Sequence, residues 1–289
     1  MFTAFEAWLV GEERSQTTIR GYLADLRMFA RWFKQSNGSD LSPTLLTPSD
    51  VREYRAWMQG QNRAVTTIRR HIMALRAYAR WAQDTGFITD DPAARVRIPG
   101  KVALAPRWLS KPERWQVVRE AEAGVAAANT PERKRLALRD LAAVVTLLNT
   151  GLRVSEICAL NTADCHLADR SGFIRVADGK GNKTRDVPLN ANAREVLHRW
   201  LSNTDTSSRL FAGITPSGLQ RRVQEIGRRA GVDIHPHTLR HTFAKTLVDA
   251  GASMVEVAAI LGHSSLNTTR IYVTPGARDL ARAAERLEE

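Results

Sequence analysis

The sequence has little of several features that would assign it to common classes of protein. It holds only two cysteines, Cys158 and Cys165, in a helix-like stretch without the spacing of a metal site, which indicates reduced packing residues. No apolar run approaches the roughly 18–20 residues that span a bilayer, and the acidic N-terminus does not resemble a signal peptide. A nucleotide-binding loop and a cluster of Asp and Glu are also missing. These features predict a cytoplasmic protein that needs neither metal nor any other cofactor.

Negative charge is also scarce relative to positive charge. The 289 residues include 42 Lys and Arg against 30 Asp and Glu, for a net charge of +12. A surface this basic is typical of proteins that bind a polyanion such as DNA. The alternative, a basic surface that is merely solvated, stays open on charge alone.

The first hundred residues predict a small helical domain built from a repeat. A helix is expected from Ser15 to Asn37, and a second begins with the cap Thr47 and the proline that follows it. The segment Thr17–Arg20 recurs as Thr66–Arg69, and Leu26–Trp32 recurs as Leu75–Trp81, both 49 residues later. Two copies are too few for a solenoid and fit two similar helical hairpins.

The repeat carries arginines at matching positions beside its apolar face. Such a stripe predicts phosphate contacts along a duplex, which contribute salt-dependent affinity rather than sequence choice. A solvated helix face is the alternative. The candidate DNA-binding residues are Arg20, Arg27, Arg31, Arg69, Arg76 and Arg80.

Proline and glycine cluster after the helical domain and predict a linker. We expect a helical DNA-binding domain over 1–97, a linker over 98–106, a second domain over 107–275 and a tail helix over 276–289. The second domain is predicted to be helical apart from two strand-like runs. These runs flank the basic turn that carries Lys180.

The second domain also concentrates residues suited to phosphodiester chemistry without metal. Two guanidiniums can hold phosphate oxygens and offset the charge that grows in the transition state. A Lys or His can protonate the leaving oxygen while a tyrosine attacks. Three of the four tyrosines lie in the first hundred residues, so a nucleophile in this domain must be Tyr272. The candidate catalytic residues are Arg153, Lys180, His237, Arg240, His263 and Tyr272.

The strings TGLRVSE, GKGNK, HTLRHTFA, LGHSS and TTRIY stand in this order in the chain. Together they closely resemble the tyrosine recombinase (phage integrase) family, and the resemblance covers essentially the whole chain. It implies a mainly α fold with a small β-sheet or hairpin: a helical SAM-like core-binding domain followed by a mixed α+β catalytic domain.

The resemblance also implies a role for each matching residue. Arg153 and Arg240 would clamp the scissile phosphate, and His263 would hydrogen-bond it. Lys180 would protonate the leaving 5′-oxygen, and His237 would help take the proton of Tyr272. Tyr272 would form a 3′-phosphotyrosyl link, which a 5′-hydroxyl can reseal without ATP.

Two further residues of the matched strings are expected to support these groups. Glu156 and His241 are both expected in the layer behind the catalytic residues, and His241 is the histidine most expected to pack rather than to join the site.

The resemblance further implies a site-specific recombinase that acts as a tetramer on two DNA sites. The tail would dock on a neighbouring subunit, and packing on its own domain is the alternative. Two other functions stay open: strand relaxation like that of a type IB topoisomerase, and a non-catalytic DNA-binding regulator of the same fold. Xer-type, transposon and phage recombinases are not distinguished by the sequence.

Overall fold

A computed structural model describes residues 1–100, 106–177, 184–203, 208–263 and 265–272. The chain forms two compact units, Met1–Leu104 and Ala105–Glu289. The described residues form eleven α-helices and one three-stranded sheet, which confirms the prediction of a mainly α fold. Over those ranges no helix is both long and apolar enough to cross a membrane.

The first unit contains four α-helices whose ends follow local capping rules. Their bounds are α1 Phe2–Gly11, α2 Gln16–Asn37, α3 Pro48–Gly60 and α4 Val65–Asp84. The Ser15 hydroxyl accepts a hydrogen bond from the Thr18 amide at the start of α2, and Gly38 ends that helix in the left-handed conformation at φ 69°. Helix α1 was not predicted, because its apolar residues do not form a one-sided stripe.

The repeated apolar positions form the core of the first unit. Helix α2 carries the first copy of the repeat and α4 carries the second, and the two helices pack against each other. Aromatic rings fill the space between the helices: Phe29 meets Tyr54 edge-on at 4.9 Å, and Phe5 meets Tyr78 at 5.5 Å. Such pairs stabilise a core beyond the area they bury.

The second unit is organised around α6. Its helices are α5 Lys111–Ala126, α6 Pro131–Thr150, α7 Val154–Ala159, α8 Ala191–Leu201, α9 Pro216–Arg229, α10 Pro236–Asp249 and α11 Met254–Leu261. Helix α6 is buried on nearly all sides because α5, α8, α9 and α10 pack around it. Gly151 ends α6 at φ 63°, and a Cβ there would lie 2.5 Å from the Phe243 ring. Only glycine fits this close approach.

The sheet of the second unit is antiparallel, in the order β1-β2-β3. Its strands are β1 Cys165–Leu167, β2 Gly172–Ala177 and β3 Thr184–Pro188. The two longer strands match the predicted runs, and Ile174 pairs with Val187 between them. The short strand β1 was not predicted, and the placement of Cys165 in a helix-like stretch was wrong. Both cysteines are free thiols, as expected.

Candidate active site

Arg153 lies between the end of α6 and the start of α7. Gly151 turns the chain, and Arg153 becomes the N-cap residue of α7. Its amide donates to Oε2 of Glu156 at 2.8 Å, and its Nη1 donates to Oε1 of the same carboxylate at 2.6 Å. Glu156 therefore holds both the backbone and the guanidinium of Arg153.

Arg240 extends from α10 and is almost fully buried, at 4% exposure. Its Nη1 donates to the Gly151 carbonyl at 2.6 Å, and its Nη2 donates to the Leu261 carbonyl at 2.8 Å. Burial, with the nearby Arg153, lowers the pKa of Arg240 to about 10. The group stays cationic at neutral pH and is therefore a desolvated positive charge aimed into the site.

The C-terminal end of α11 gathers three arginines on three successive carbonyls. Arg185 donates to Ile260 at 2.9 Å, Arg240 to Leu261 at 2.8 Å and Arg153 to Gly262 at 2.9 Å. Helix C-termini carry unpaired carbonyls and partial negative charge, which favour cations. The helix end thus holds the guanidiniums together despite their mutual repulsion.

His263 follows this helix end directly. Gly262 ends α11 in the left-handed conformation, and His263 then turns its Nδ1 to within 2.9 Å of the Thr269 hydroxyl. Burial, then the charges of Arg240, Arg153 and Arg185, lowers the pKa of His263 to about 4. His263 is therefore neutral at physiological pH and can act as a hydrogen-bond partner rather than as a cation.

Tyr272 lies in a short 3₁₀ turn, Arg270–Tyr272, and is 4% exposed. Its hydroxyl lies 2.6 Å from Nδ1 of His241, and the two rings pack at 5.4 Å. His241 therefore does more than pack, because its imidazole directly contacts the proposed nucleophile. His237 lies one turn earlier on α10 and stacks on His241 at 5.8 Å.

The histidine that contacts Tyr272 is uncharged at neutral pH. Burial, followed by the neighbouring His237, His235 and Arg240, lowers the pKa of His241 to about 4. Burial raises the pKa of Tyr272, partly offset by Arg240. The tyrosine is thus protonated, and a neutral imidazole is in position to accept its proton.

Arg185 on β3 is a site residue that sequence reasoning missed. Its guanidinium bonds both oxygens of Glu156, at 3.2 and 2.9 Å, besides the Ile260 carbonyl. Burial would raise the pKa of Glu156, but hydrogen bonds from Arg185 and Arg153 outweigh it and hold that pKa below its usual range. The available signal was strand alternation, since Arg185 shares a face of β3 with buried Val187. Lys180, the remaining predicted catalytic residue, lies outside the described residues.

The predicted DNA-binding arginines belong to the first unit, and their surroundings differ between the two repeat copies. On α2, Arg20 donates to the carbonyl of Gln16. Among the residues that the structure describes, none forms a hydrogen bond or ion pair with exposed Arg27 or Arg31. On α4, Arg80 is exposed and lies 3.7 Å from Asp84.

Arg69 and Arg76, also on α4, instead hold the segment that follows their helical bundle. Arg69 donates to the Pro99 carbonyl at 3.0 Å. Arg76 donates to the carbonyls of Ala93, Ala94 and Val96. The expectation that all six arginines project from the core was wrong for Arg69 and Arg76, which are half-buried.

In the part of the chain that the structure describes, no three His, Cys, Asp or Glu side chains are grouped in a way that could hold an ion. The arrangement instead offers fixed cationic donors, which can stabilise a pentacoordinate phosphate directly.

Comparison with known proteins identifies the family of this chain. Residues 118–278 match the family model for the phage integrase family, and residues 2–86 match that for the phage integrase N-terminal SAM-like domain. The chain belongs to the phage integrase family. This confirms the family resemblance and the SAM-like and catalytic folds that it implied.

Curated relatives of this phage integrase family member match over nearly its full length. It is 34% identical to tyrosine recombinase XerC of Corynebacterium efficiens, over 93% of this chain and 84% of that protein. It is 35% identical to tyrosine recombinase XerC of Mycobacterium bovis (strain BCG / Pasteur 1173P2), over 94% of this chain and 93% of that protein.

Solved structures of other recombinases share the fold of this phage integrase family member. XerH site-specific recombinase bound to palindromic difH substrate aligns with a TM-score of 0.76 at 23% identity, over 94% of this chain and 80% of that one. Tn1549 transposon integrase in complex with circular intermediate DNA aligns with a TM-score of 0.72 at 18% identity, over 98% of each chain.

Proposed function

We propose that this chain cleaves duplex DNA with the Tyr272 hydroxyl, holds the cut strand as a 3′-phosphotyrosyl ester and rejoins it to a new 5′-hydroxyl. The chain is a tyrosine site-specific recombinase by its family and its relatives. The observation that carries the proposed assignment of residues is the hydrogen bond between Tyr272 and a neutral His241, beside two immobilised arginines.

The arginines are proposed to bind the two non-bridging oxygens of the scissile phosphate. A guanidinium has five N–H donors, and the bonds of Arg153 to Glu156 and Gly262 leave others unused. Arg240 is likewise fixed by two backbone carbonyls. Because these bonds position the groups before DNA arrives, little reorganisation is needed when charge develops on the phosphate. His263 is proposed to donate a further hydrogen bond to that phosphate.

Proton transfers complete the proposed reaction. As the Tyr272 oxygen bonds to phosphorus, its proton passes to Nδ1 of His241, and the bond from phosphorus to the 5′-oxygen breaks. Lys180 is proposed to protonate that leaving oxygen. His237 remains a proposed participant in the tyrosine's proton transfer, because it stacks on His241. Rejoining runs the same steps in reverse, so it needs no ATP.

Duplex DNA is the partner that follows from the family, and the aligned XerH recombinase and Tn1549 integrase are each bound to DNA in their structures. We propose that the active form is a tetramer on two DNA sites, with the tail of one subunit docked on its neighbour. The tail, 276–289, lies outside the described residues, and the proposal rests on its sequence pattern of Leu280, Ala283, Ala284 and Leu287. A cytoplasmic location completes the proposal.

The test is to trap the covalent intermediate. Wild-type protein, Tyr272→Phe and the control Tyr22→Phe are incubated in EDTA with duplex fragments from around the protein's own gene. We expect a 3′-linked protein–DNA adduct with wild type and Tyr22→Phe, and none with Tyr272→Phe. An adduct that survives in Tyr272→Phe contradicts the mechanism.

The same experiment separates the alternatives. Tight duplex binding without an adduct from wild-type protein favours a regulator. An adduct at many positions, with relaxation of any supercoiled plasmid, favours topoisomerase-like activity.

A further inference from the structure

We infer that Arg185 is a positioning residue of the active site: it sets the geometry of Arg153 and of the turn that carries His263. The inference deepens the proposed function and rests on it. Arg185 lies on a strand, 32 positions after Arg153 in the sequence, and no motif of the family resemblance includes it.

The contacts of Arg185 join three separate elements. From β3, it donates through Nη1 and Nη2 to the two carboxylate oxygens of Glu156 on α7. Through Nε, it donates to the carbonyl of Ile260 at the end of α11. One planar group therefore fixes the distance between the Arg153 segment and the end of the helix that precedes His263.

Glu156 transmits this position to Arg153. Each of its oxygens receives one bond from Arg185 and one from Arg153, the latter through the amide and Nη1. The carboxylate is largely buried, with a side chain 10% exposed. Without Arg185, the Glu156 carboxylate would keep a single cationic partner and half its hydrogen bonds. The Glu156 and Arg153 side chains would then be free to rotate together.

The close packing of Gly262 shows how tightly Arg185 fits the helix end. A Cβ on Gly262 would lie 2.7 Å from Nη1 of Arg185. The guanidinium is thus in contact with the backbone of the residue just before His263. The side chain of Arg185 is only 15% exposed, so it acts from behind the pocket rather than from the solvent side.

A neighbouring ion pair provides a matched control. Arg175 on β2 binds both oxygens of Asp186 on β3, at 2.9 Å each, but this pair is about half exposed. It stabilises the same pair of strands without touching Glu156 or α11. Exposed pairs of this kind contribute little to stability.

The experiment compares Arg185→Lys and Arg185→Gln with Arg175→Gln. The substrate is the duplex on which wild-type protein leaves its adduct, in two forms: with a normal scissile phosphate and with a methylphosphonate there. Methylphosphonate lacks one negative oxygen, so cleavage depends less on a correctly placed guanidinium. Thermal unfolding and noncovalent duplex binding are measured in parallel.

We expect the Arg185 variants to stay folded, to bind duplex within about threefold of wild type, and to form adduct on the order of 10–100-fold more slowly, as when an outer partner of a functional group is removed. On the methylphosphonate duplex, the Arg185 variants should recover most of the lost rate of adduct formation. Arg175→Gln should behave as wild type on both duplexes. If Arg185 had a purely structural role, its loss would slow adduct formation equally on both duplexes. Faster cleavage of the methylphosphonate duplex alone would contradict such a role.

Three results would overturn the inference: a wild-type rate in folded Arg185→Gln, an equal loss on both duplexes, or unfolding that accounts for the loss. If wild-type protein leaves no adduct on any duplex, the proposed function fails, and a crystal structure of DNA-free Arg185→Gln decides the positioning role. There we expect the Arg153 guanidinium to move by about 1 Å or more, a displacement large enough to cost catalysis heavily. An unmoved Arg153 refutes the inference.

Discussion

The Nδ1 atom of His241 lies 2.6 Å from the hydroxyl oxygen of Tyr272. His237, one helical turn earlier, stacks on His241 at a ring distance of 5.8 Å. The hydrogen bond shows which imidazole faces the proposed nucleophile in the DNA-free protein.

Replacing His241 should slow the chemical step. We expect His241→Ala to reduce the rate of adduct formation by on the order of 10²–10⁴-fold, the usual contribution of a positioned general base. Duplex affinity should change little, since His241 is turned toward Tyr272. The control is His198→Ala, at an exposed position on α8. Single-turnover adduct assays provide the measurement, and a normal rate in His241→Ala with a slow His237→Ala would transfer the proton-accepting role to His237.

The pH dependence of the site should reflect its buried histidines. The pKa values of His241 and His263 are lowered to about 4, chiefly by burial. Both should therefore titrate near pH 4, well below the ordinary histidine pKa of about 6.5. NMR titration of each ring proton measures this directly. A titration of either ring near pH 6.5 in the folded protein would contradict it.

The lowered pKa values of His241 and His263 also determine how these two residues change the stability of the protein with pH. Between about pH 4 and 6.5 the unfolded chain binds more protons at these histidines than the folded chain does. Their contribution to stability therefore rises with pH across this window and falls on acidification. Asp25 in the first unit, whose pKa burial raises to about 6, acts in the opposite direction. Residue-specific titration is thus more informative than a single melting curve.

The two copies of the repeat should respond differently to loss of an arginine. Arg76→Ala removes three bonds to backbone carbonyls and should destabilise the protein by about 1–3 kcal/mol. Arg27→Ala, at the matching exposed position, should change stability by less than about 0.5 kcal/mol. If Arg27 contacts phosphate, its loss should reduce the salt dependence of duplex binding by about one ion.

Chemical denaturation and salt-titrated binding test this pair of variants. Equal stability losses in the two variants would contradict the division of roles between the copies. A salt dependence that Arg27→Ala leaves unchanged would remove Arg27 from the DNA-binding surface.

Alanine at Gly262 should damage the site more than the fold. The residue has φ 64°, and an added Cβ would meet Arg185 at 2.7 Å. Gly251→Ala is the control, because Gly251 has φ 90° with nothing within 4 Å of its added Cβ. Both should lose roughly 1–2 kcal/mol from the left-handed backbone. Only Gly262→Ala should also lose adduct formation, and equal activity in the two variants would contradict the importance of this contact.

Local rules in the sequence determined most of the helices. Caps such as Ser15, Ser110 and Thr130 lie at the predicted helix starts, and Gly38 and Gly151 end their helices as expected. These features act within a few residues, so they can be predicted without knowledge of the fold. The ordered family strings likewise indicated Arg153, Arg240 and Tyr272. In the structure, Arg240 interacts electrostatically with Arg153, Tyr272 and His263.

Only the tertiary structure decided which residues touch. His237 and His241 lie four positions apart on one helix face, so the sequence offers both to Tyr272 equally. Arg27 and Arg76 occupy equivalent positions of a repeat, but only Arg76 has the returning 93–96 segment beside it. Arg185 meets Glu156 across 29 residues. Such contacts depend on how helices and strands pack, because side chains distant in sequence become neighbours only when the core has formed.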